Sequence, residues 1–351
     1  MIDLDIVEAN ARRMADAAGA AGVALRPHVK THKTVALAWI QLDAGAIGIT
    51  VGTLGEAEVM ARGGVADILL AYPLWAAGAT AERLRALHER RDLQLAVGFD
   101  SFEGAQQLAA AVAGSGRPLR VLVEIDAHYG RTGVSAESAG ELCAAAARVG
   151  LDVSGAFSHG GHAYAGGDAV ASAADDEVAA LSAAAESMRA VGIEPQVLSA
   201  GSSPTALLAA RGPVTELRPG TYLIGDRQQV ALGASPPDGV AIAVAATVVS
   251  ATVPDQVVIN AGAKSLTKDM PAYLAGHGFL PDYPEAVLER VSDYHGQLRF
   301  PDGARRPGLG DIVAVVPNHA CPVIDLYDSF IATRSGEVVG RWRVDARGRS
   351  G

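Results

Sequence analysis

The alternation of strands and helices that decides the fold is clearest in residues 24–71, which read ALRPHVKTHKTVALAWIQLDAGAIGITVGTLGEAEVMARGGVADILLA. Short apolar runs at 24–28, 47–50 and 67–71 predict β-strands. The segments between them, 35–44 and 53–62, carry apolar residues at helical spacing. Strands that alternate with helices of this length form parallel βα units. This stretch therefore predicts an α/β fold.

The same alternation continues along the first two-thirds of the chain. Further strands are predicted at residues 93–98, 119–125, 151–158, 196–199 and 214–217. Further helices are predicted at residues 6–20, 77–89, 102–113, 136–148, 170–190 and 204–210. Eight strands that alternate with helices match a (β/α)8 TIM-type barrel, and an open doubly wound sheet is the alternative. We predict the barrel, over residues 1–230.

The pattern changes after Gly225. Valine- and isoleucine-rich runs at 240–253, 256–260, 310–316 and 337–343 are separated by turns rich in proline, glycine and aspartate, without long amphipathic helices. We predict a smaller all-β domain over residues 231–351.

Composition excludes several classes of protein. The 351 residues are 49% hydrophobic and carry a net charge of −10, which argues against intrinsic disorder and against nucleic-acid binding. No apolar run is long enough to span a membrane, and the acidic start MIDLDIVEANARRM is unlike a secretory signal. The two cysteines, Cys143 and Cys321, are too few for a disulfide scaffold. We expect a cytoplasmic globular protein.

Polar residues concentrate in five of the eight predicted loops that follow the barrel strands. Barrel enzymes place their catalytic residues there. A single polar loop needs no function, but five on one rim favour an active site. The five loops are RPHVKTHKT (26–34), EIDAHYGRTG (124–133), SHGGHAY (158–164), SAGSSPT (199–205) and RPGTYLIGD (218–226).

Lys30 is the candidate nucleophile. It follows the first barrel strand and has Arg26 and His28 as cationic neighbours. Like charges and partial burial lower the pKa of a lysine, as Schiff-base formation requires. The spacing alone fits a solvated surface lysine equally well. After strands 7 and 8, the turns in 199–205 and 218–221 fit a phosphate pocket, although ordinary glycine and proline turns look alike.

Six motifs in order carry a family resemblance: RPHVKTHKT, HGGHAY, the Gly/Ser turn, RPGTYLIGD, AGAKSLTKD and PNHACPV. They resemble the D-serine dehydratase / D-threonine aldolase family of fold-type III pyridoxal-phosphate (PLP) enzymes, distant relatives of alanine racemase. The resemblance covers nearly the whole chain. In two places the chain departs from the family: an N-terminal strand that usually joins the β domain is missing or shortened, and His128 replaces the glycine of a D-x-G-x-x-R pattern.

The resemblance implies roles for the barrel residues. Lys30 binds PLP covalently, Arg131 lies near the phenolic oxygen, and Arg218 faces the pyridine nitrogen, which a permanent cation keeps unprotonated. His159, His162 and Tyr164 lie near the cofactor and substrate as candidate acids or bases, and which of them acts stays open. The remaining implied cofactor-binding residues are His28, Ser202, Ser203, Gly220 and Thr221.

PNHACPV supplies the candidate metal site. His319 and Cys321 lie two residues apart, so on a strand they face the same side. An imidazole and a thiolate suit zinc, although without the family a lone His-x-Cys is more often structural. The resemblance associates His-x-Cys with the dehydratases and His-x-Asp with D-threonine aldolases that use manganese or magnesium. Cys143 is expected to be a core residue.

The leading functional hypothesis is a PLP- and zinc-assisted dehydratase of a D-β-hydroxy amino acid such as D-serine or D-threo-3-hydroxyaspartate. Its nearest alternative is a D-threonine or 3-hydroxy-D-aspartate aldolase, which yields glycine and an aldehyde. An amino-acid racemase and a non-catalytic PLP carrier are weaker alternatives. By analogy with the family we expect a homodimer that binds a small D-amino acid and neither nucleic acid nor a membrane.

Overall fold

The computed structural model describes residues 1–351, which form two compact units. A barrel unit contains Arg12–Gly220 and Gly348–Gly351, and a β unit contains Met1–Ala11 and Thr221–Arg347. The boundary between the two units therefore lies at residues 220 and 221, whereas the sequence predicts it at residue 230. None of the helices is both long enough and apolar enough to cross a membrane.

The strands and helices are numbered in chain order. Up to residue 217 they are β1 (Ile2–Asp3), α1 (Leu4–Ala20), β2 (Ala24–Leu25), α2 (Val35–Asp43), β3 (Ile49–Val51), α3 (Leu54–Arg62), β4 (Asp67–Pro73), α4 (Ala79–His88), β5 (Gln94–Phe99), α5 (Phe102–Ala111), β6 (Arg120–Ile125), α6 (Ala139–Arg148), β7 (Asp152–Ser158), α7 (Ala169–Ala190), β8 (Val197–Ala200), α8 (Ala206–Ala209) and β9 (Glu216–Leu217). After it follow α9 (Arg227–Ala231), β10 (Val244–Ser250), β11 (Gln256–Ile259), α10 (Ala263–Leu266), β12 (Gly278–Phe279), β13 (Val287–Val291), β14 (Gly296–Arg299), β15 (Ile312–Pro317), α11 (Ala320–Asp325), β16 (Ser329–Arg334) and β17 (Glu337–Arg343).

Eight parallel strands form the sheet of the barrel unit, in the order β2-β9-β8-β7-β6-β5-β4-β3. The first and last strands of this order also meet, because the Ile47 N–H donates to the Leu25 carbonyl at 2.9 Å and the Thr50 N–H to the Pro27 carbonyl at 2.8 Å. These bonds close the sheet on itself. The predicted (β/α)8 barrel is confirmed, and all eight predicted strands correspond to observed ones.

One layer of the barrel interior is apolar. Leu69, Ala96, Leu122 and Phe157, from four consecutive strands, form a buried cluster. A side chain at Gly98 would place its Cβ 2.8 Å from the ring of Phe157. The glycine therefore leaves the space that the phenylalanine fills.

A second layer is ionic and lies around the buried Arg26, just after β2. Its Nε donates to Glu216 Oε2 at 2.7 Å, and its Nη1 pairs with Asp67 at the start of β4. Glu216 also accepts a hydrogen bond from Ser199 Oγ at 2.6 Å. Burial opposes the charge of Arg26, but Glu216 and Asp67 together raise its pKa.

The β unit contains two sheets. The larger one is antiparallel and has the order β12-β15-β10-β11-β14-β13. In the smaller one, β16 lies between β17 and β1, and β1 pairs with β16 in parallel through Ile2 and Ala332. The N-terminal strand is therefore present but only two residues long. The sequence predicted β10, β11, β15 and β17, whereas it missed β12, β13, β14 and β16, which are short or carry charged residues.

We predict that Gly48→Ala destabilises the barrel. The new Cβ would lie 2.5 Å from Arg26 Nη1 and 2.7 Å from the Asp67 carbonyl, so the methyl group would displace the buried guanidinium from its carboxylates. A loss of about 2 kcal/mol or more is expected in denaturant unfolding.

The matched control is Gly19→Ala in α1, where no atom lies within 4 Å of the new Cβ. Alanine is favoured over glycine inside a helix, so this variant should be unchanged or more stable by up to about 1 kcal/mol. Equal stability of the two variants would contradict the argument.

Candidate active site

Lys30 lies in a 3₁₀ turn, Val29–Thr31, in the loop after β2. His28 begins this turn and accepts the Lys30 backbone N–H on Nδ1 at 3.3 Å. Desolvation, with the charges of Lys30 and Arg218, holds the pKa of His28 well below its ordinary value. His28 is therefore a neutral acceptor beside the lysine.

The second lysine of the loop, Lys33, pairs with a carboxylate. It is buried, and its Nζ lies 3.6 Å from Glu56 Oε1. Lys30 is exposed, and its charge acts on His28, His159 and Glu56. Of the two lysines, Lys30 is thus the one that a ligand can reach.

Arg218 follows β9 and is buried. It donates to the Ser158 carbonyl through Nη2, and its guanidinium lies over the Phe157 ring, 5.3 Å from the centroid. Its Nη1 is buried without a hydrogen-bond partner, as are Glu124 Oε2 and Ser158 Oγ. Because buried polar atoms without partners are unfavourable, these three atoms fit a bound polar ligand such as PLP.

Arg131 and His159 both lie against the ring of Tyr129. Arg131 Nη2 lies 3.5 Å from Glu124 Oε1, and its guanidinium lies over the Tyr129 ring. The Tyr129 ring contacts that of His159 edge-on, at 5.7 Å between centroids. Burial, and then the charges of Lys30, Arg131 and Arg218, hold the pKa of His159 well below its ordinary value. A neutral His159 can accept a proton.

His162 is fixed by a carboxylate. Its Nε2 lies 3.0 Å from Asp176 Oδ2, and His128 Nδ1 lies 3.3 Å from the other oxygen of Asp176. His128 has a left-handed backbone with φ 63°, which explains why glycine also suits this position. Tyr164 lies in the 3₁₀ turn Gly161–Ala165, together with His162.

The loops after β8 and β9 contact each other. Ser203 Oγ accepts the Gly220 N–H at 3.2 Å, and Ser202 N–H donates to Thr205 Oγ1 at 2.9 Å. A Cβ at Gly220 would lie 2.8 Å from the His28 carbonyl, so only glycine fits beside the Lys30 turn. These backbone and hydroxyl groups are of the kind that binds a phosphate. Thr221, the next residue, groups with the β unit.

In the β unit, His319 and Cys321 do not lie on a strand, so that part of the prediction is wrong. β15 ends at Pro317, His319 caps α11, and Cys321 lies in its first turn. The helix begins here because Asp226 Oδ2 accepts the Ala320 N–H at 2.8 Å, which satisfies an otherwise free donor of the first turn.

The two side chains nevertheless meet. Burial opposes the charge of His319, but its hydrogen bond to Cys321 and the nearby Asp226 and Asp269 raise its pKa to about 9. His319 Nδ1 lies 3.0 Å from Asp269 Oδ2, and Cys321 Sγ lies 3.6 Å from Thr221 Oγ1. A carboxylate on Nδ1 leaves Nε2 for a metal, an arrangement common in metal sites. The imidazole and thiol therefore fit a metal such as zinc, although no three metal-binding side chains cluster in the structure.

Five carboxylates that contact residues of these sites were missed in the sequence: Glu124, Asp176, Glu177, Asp226 and Asp269. Asp226 and Asp269 end the motifs RPGTYLIGD and AGAKSLTKD, so their position in these motifs was a signal. Glu124 ends the apolar run of β6, where a buried acid is unusual. Glu177 lies in the alanine-rich α7 and gives no signal. Cys143 is buried, as expected, and burial raises its pKa to about 12.

Comparisons with known proteins agree with this architecture. Residues 2–228 match the family "Alanine racemase, N-terminal domain", and residues 241–333 match "Putative serine dehydratase domain". D-threo-3-hydroxyaspartate dehydratase of Delftia sp. (strain HT23) is 35% identical over 97% of this chain and 95% of its own. The chain belongs to the D-serine dehydratase / D-threonine aldolase family. It is a PLP-dependent lyase.

Two solved structures extend the comparison. D-threonine aldolase from Filomicrobium marinum has a TM-score of 0.90 and 31% identity, over 100% of this chain and 95% of that one. A cysteine-to-alanine mutant of D-threo-3-hydroxyaspartate dehydratase, in the metal-free form, has a TM-score of 0.86 and 33% identity, over 97% of this chain and 95% of that one. The family therefore includes both dehydratases and aldolases, and at least one member that binds a metal.

We predict that His32 makes the protein less stable in acid. His32 is fully buried; its Nδ1 accepts the Thr34 N–H, and its Nε2 lies 3.1 Å from Gln41 Oε1. Burial lowers its pKa from 6.5 to about 4, so its contribution to stability is present above pH 6.5 and is lost as pH falls towards 4. Within that window the loss is about 1.4 kcal/mol per pH unit.

His32→Gln removes this titration. Its free energy of unfolding, measured in urea at several pH values, should fall less steeply than that of the wild type as pH falls from 6.5. Parallel curves for the two proteins would show that His32 does not titrate on unfolding.

Proposed function

We propose that the protein is a PLP- and metal-dependent dehydratase that converts a D-β-hydroxy amino acid, such as D-serine or D-threo-3-hydroxyaspartate, into a 2-oxo acid and ammonia. The observation that carries the proposal is Cys321 beside His319 in the β unit. A soft thiolate and an imidazole favour zinc. The 35% identical Delftia relative is a dehydratase, which supports the same reaction.

In this proposal residues 1–230 hold the cofactor. Lys30 would supply the amine that binds it, and the family resemblance implies that Arg218 would face its ring nitrogen and Arg131 its phenolic oxygen. The groups of Ser202, Ser203, Gly220 and Thr221 would bind its phosphate. When bound, PLP withdraws electrons from the Cα of the attached amino acid, which weakens the bonds to Cα.

The chain's own groups would then move the protons. The amine of Lys30, whose charge acts on the neutral His28 and His159, would accept the Cα proton. His159 is the candidate to shuttle a proton, because its depressed pKa keeps it neutral. His162 and Tyr164 complete this side of the site.

In the β unit, His319 and Cys321 would hold the metal, with Asp269 orienting the imidazole. A divalent metal makes a hydroxyl a better leaving group by withdrawing charge from its oxygen. Zinc suits these ligands best, and manganese or magnesium would favour harder ones.

The alternative is aldol cleavage of D-threonine or 3-hydroxy-D-aspartate. It is favoured by the D-threonine aldolase structure with TM-score 0.90. Both reactions begin with the same bound amino acid and differ in whether the bond to hydrogen or to Cβ breaks. We also propose a cytoplasmic location, from the composition of the chain, and, by analogy with the family alone, a homodimer that acts on a small D-amino acid.

We predict that Lys30 is the lysine that carries the cofactor. Borohydride treatment of the yellow protein should fix PLP to the peptide that contains Lys30, as peptide mass mapping would show. Lys30→Ala should lose this adduct. The control is Lys33→Ala, since Lys33 pairs with Glu56; it should keep the adduct. A label on another lysine would overturn the assignment.

We predict that Cys321→Ala loses the metal but keeps PLP. The metal content should fall to the background of the chelated protein while the cofactor absorbance remains, and turnover should fall by about 100-fold or more. Asp269→Asn should weaken metal binding by about 10- to 100-fold, because the oriented histidine is released. Cys143→Ala, at the buried cysteine of α6, is the matched control and should retain the metal.

D-threonine separates the two reactions, because it can lose water or be cleaved. Ammonia with 2-oxobutanoate indicates the dehydratase, whereas glycine with acetaldehyde indicates the aldolase. Cys321→Asp should move the metal preference towards manganese or magnesium. Full activity of the wild type in excess chelator would refute a metal-dependent reaction.

A further inference from the structure

Glu177 is a carboxylate with no solvent exposure, near the middle of α7 in the barrel unit. All its hydrogen-bond donors are uncharged. Its Oε1 accepts the Gly201 N–H at 3.0 Å, and its Oε2 accepts the hydroxyl of Thr205 at 2.7 Å. The Gly160 N–H is a further donor. One side chain of α7 thus binds the loop after β7 and the loop after β8.

Every partner requires Glu177 to act as an acceptor. The two glycines offer backbone N–H groups, which only donate. Thr205 Oγ1 accepts the Ser202 N–H at 2.9 Å, lies 3.0 Å from the Ser202 hydroxyl and donates its own hydrogen to Glu177 Oε2 at 2.7 Å. A glutamine, which has almost the same shape, would have to place an amide N–H₂ against one of these donors.

The two loops are shaped for this contact. A Cβ at Gly160 would lie 3.1 Å from both Cδ and Oε2 of Glu177. Gly201 has a left-handed backbone, φ +86°, and a Cβ there would lie 2.8 Å from the Ala206 Cα. Glycine at each position therefore permits the close approach of the backbone to the carboxylate or to α8.

Stability alone does not account for the contact. A carboxylate buried without a paired cation is unfavourable compared with an apolar residue of similar size, and burial raises the pKa of Glu177. The loops that it joins carry His159, Ser202 and Ser203, and Ser203 Oγ in turn accepts the Gly220 N–H at 3.2 Å.

We propose that Glu177 is a positioning residue that holds the loop of Gly201–Thr205 in the geometry that binds the phosphate of the cofactor. This inference rests on the phosphate site of the proposed function. Glu177 touches neither the cofactor ring nor the substrate; it acts through Gly201 and Thr205, which fix the serines between them.

The test compares two ligands that differ only in the phosphate. Wild type and Glu177→Gln, each freed of cofactor, are titrated with pyridoxal 5′-phosphate and with pyridoxal, and binding is followed by absorbance. In Glu177→Gln the Kd for the phosphorylated ligand should rise by about 10- to 100-fold, because a charge-assisted acceptor is lost and two donors oppose each other. The Kd for pyridoxal should change by less than about threefold.

Two variants of Thr205 keep the test decisive if Glu177→Gln does not fold. Thr205→Ser retains the hydroxyl and should bind both ligands as the wild type does. Thr205→Val keeps the shape without the hydroxyl and should lose affinity for the phosphorylated ligand alone. Thr205→Val or Glu177→Gln would overturn the role of Glu177 if it lost equal affinity for both ligands or lost no affinity for either.

The same titrations also test whether the loops form a phosphate site at all. If the wild type bound pyridoxal as tightly as pyridoxal 5′-phosphate, the loops would not form a phosphate site, and the role of Glu177 would be refuted with it. A wild type that prefers the phosphorylated ligand, with a Glu177→Gln that keeps the same preference, refutes Glu177 alone.

Discussion

Arg26 ties a short part of the barrel to its neighbours through a buried carboxylate, Glu216, and a half-buried one, Asp67. β2 has only two residues and contributes few ladder hydrogen bonds, yet the barrel closes at this strand. Arg26 follows it directly and binds Glu216 on β9 and Asp67 on β4. Buried ion pairs add little net stability, but one arrangement of their partners satisfies them, so they specify register. Lys30 lies four residues further on, and a slip of β2 would displace it.

The same principle recurs around both candidate sites: a carboxylate fixes a backbone or side-chain group that would otherwise move. Glu177 fixes the loop after β8, and Asp226 fixes the start of α11. Asp269 orients His319. Arg218 and Glu124 differ, since each keeps a buried atom without a partner. Groups of the first kind are fully satisfied by the protein, whereas those of the second kind are left for a ligand.

Features that depend on residues close together in the chain can be predicted from the sequence. Features that depend on contacts between distant residues cannot. The barrel follows from local periodicity, which is strong in strands such as β6 and in helices such as α3. β13 and β14 were not predicted, because strands with charged residues, such as VLERV and GQLR, show little apolar alternation. Cys321 was placed on a strand because the helix start depends on Asp226, which lies 94 residues earlier in the chain. Such contacts leave no local pattern.

The residues of the candidate site also divide into those that a local motif reveals and those that only the fold reveals. Lys30 is found through its motif, since the motif states the chemistry directly. Glu177 is invisible to a motif search, because its partners are backbone N–H groups of glycines that lie in two other loops. Its role follows only from where these N–H groups point. A residue that acts through the backbone is therefore revealed by the fold alone.

Arg218 and the proposed metal ligands His319 and Cys321 both affect how strongly electrons are withdrawn from the bound amino acid. A guanidinium remains protonated at Arg218 even where burial lowers its pKa, so it cannot give a proton to the ring nitrogen that it is proposed to face. An unprotonated ring withdraws electrons less strongly. Racemisation only removes and returns a proton at Cα, whereas dehydration must in addition break the bond between Cβ and its oxygen, and aldol cleavage breaks the Cα–Cβ bond while the hydroxyl on Cβ loses its proton. In the proposed reaction, a metal held by His319 and Cys321 would supply the additional help at that oxygen. Given the position of Arg218 that the family resemblance implies, the thiol–imidazole pair thus supports a lyase over a racemase.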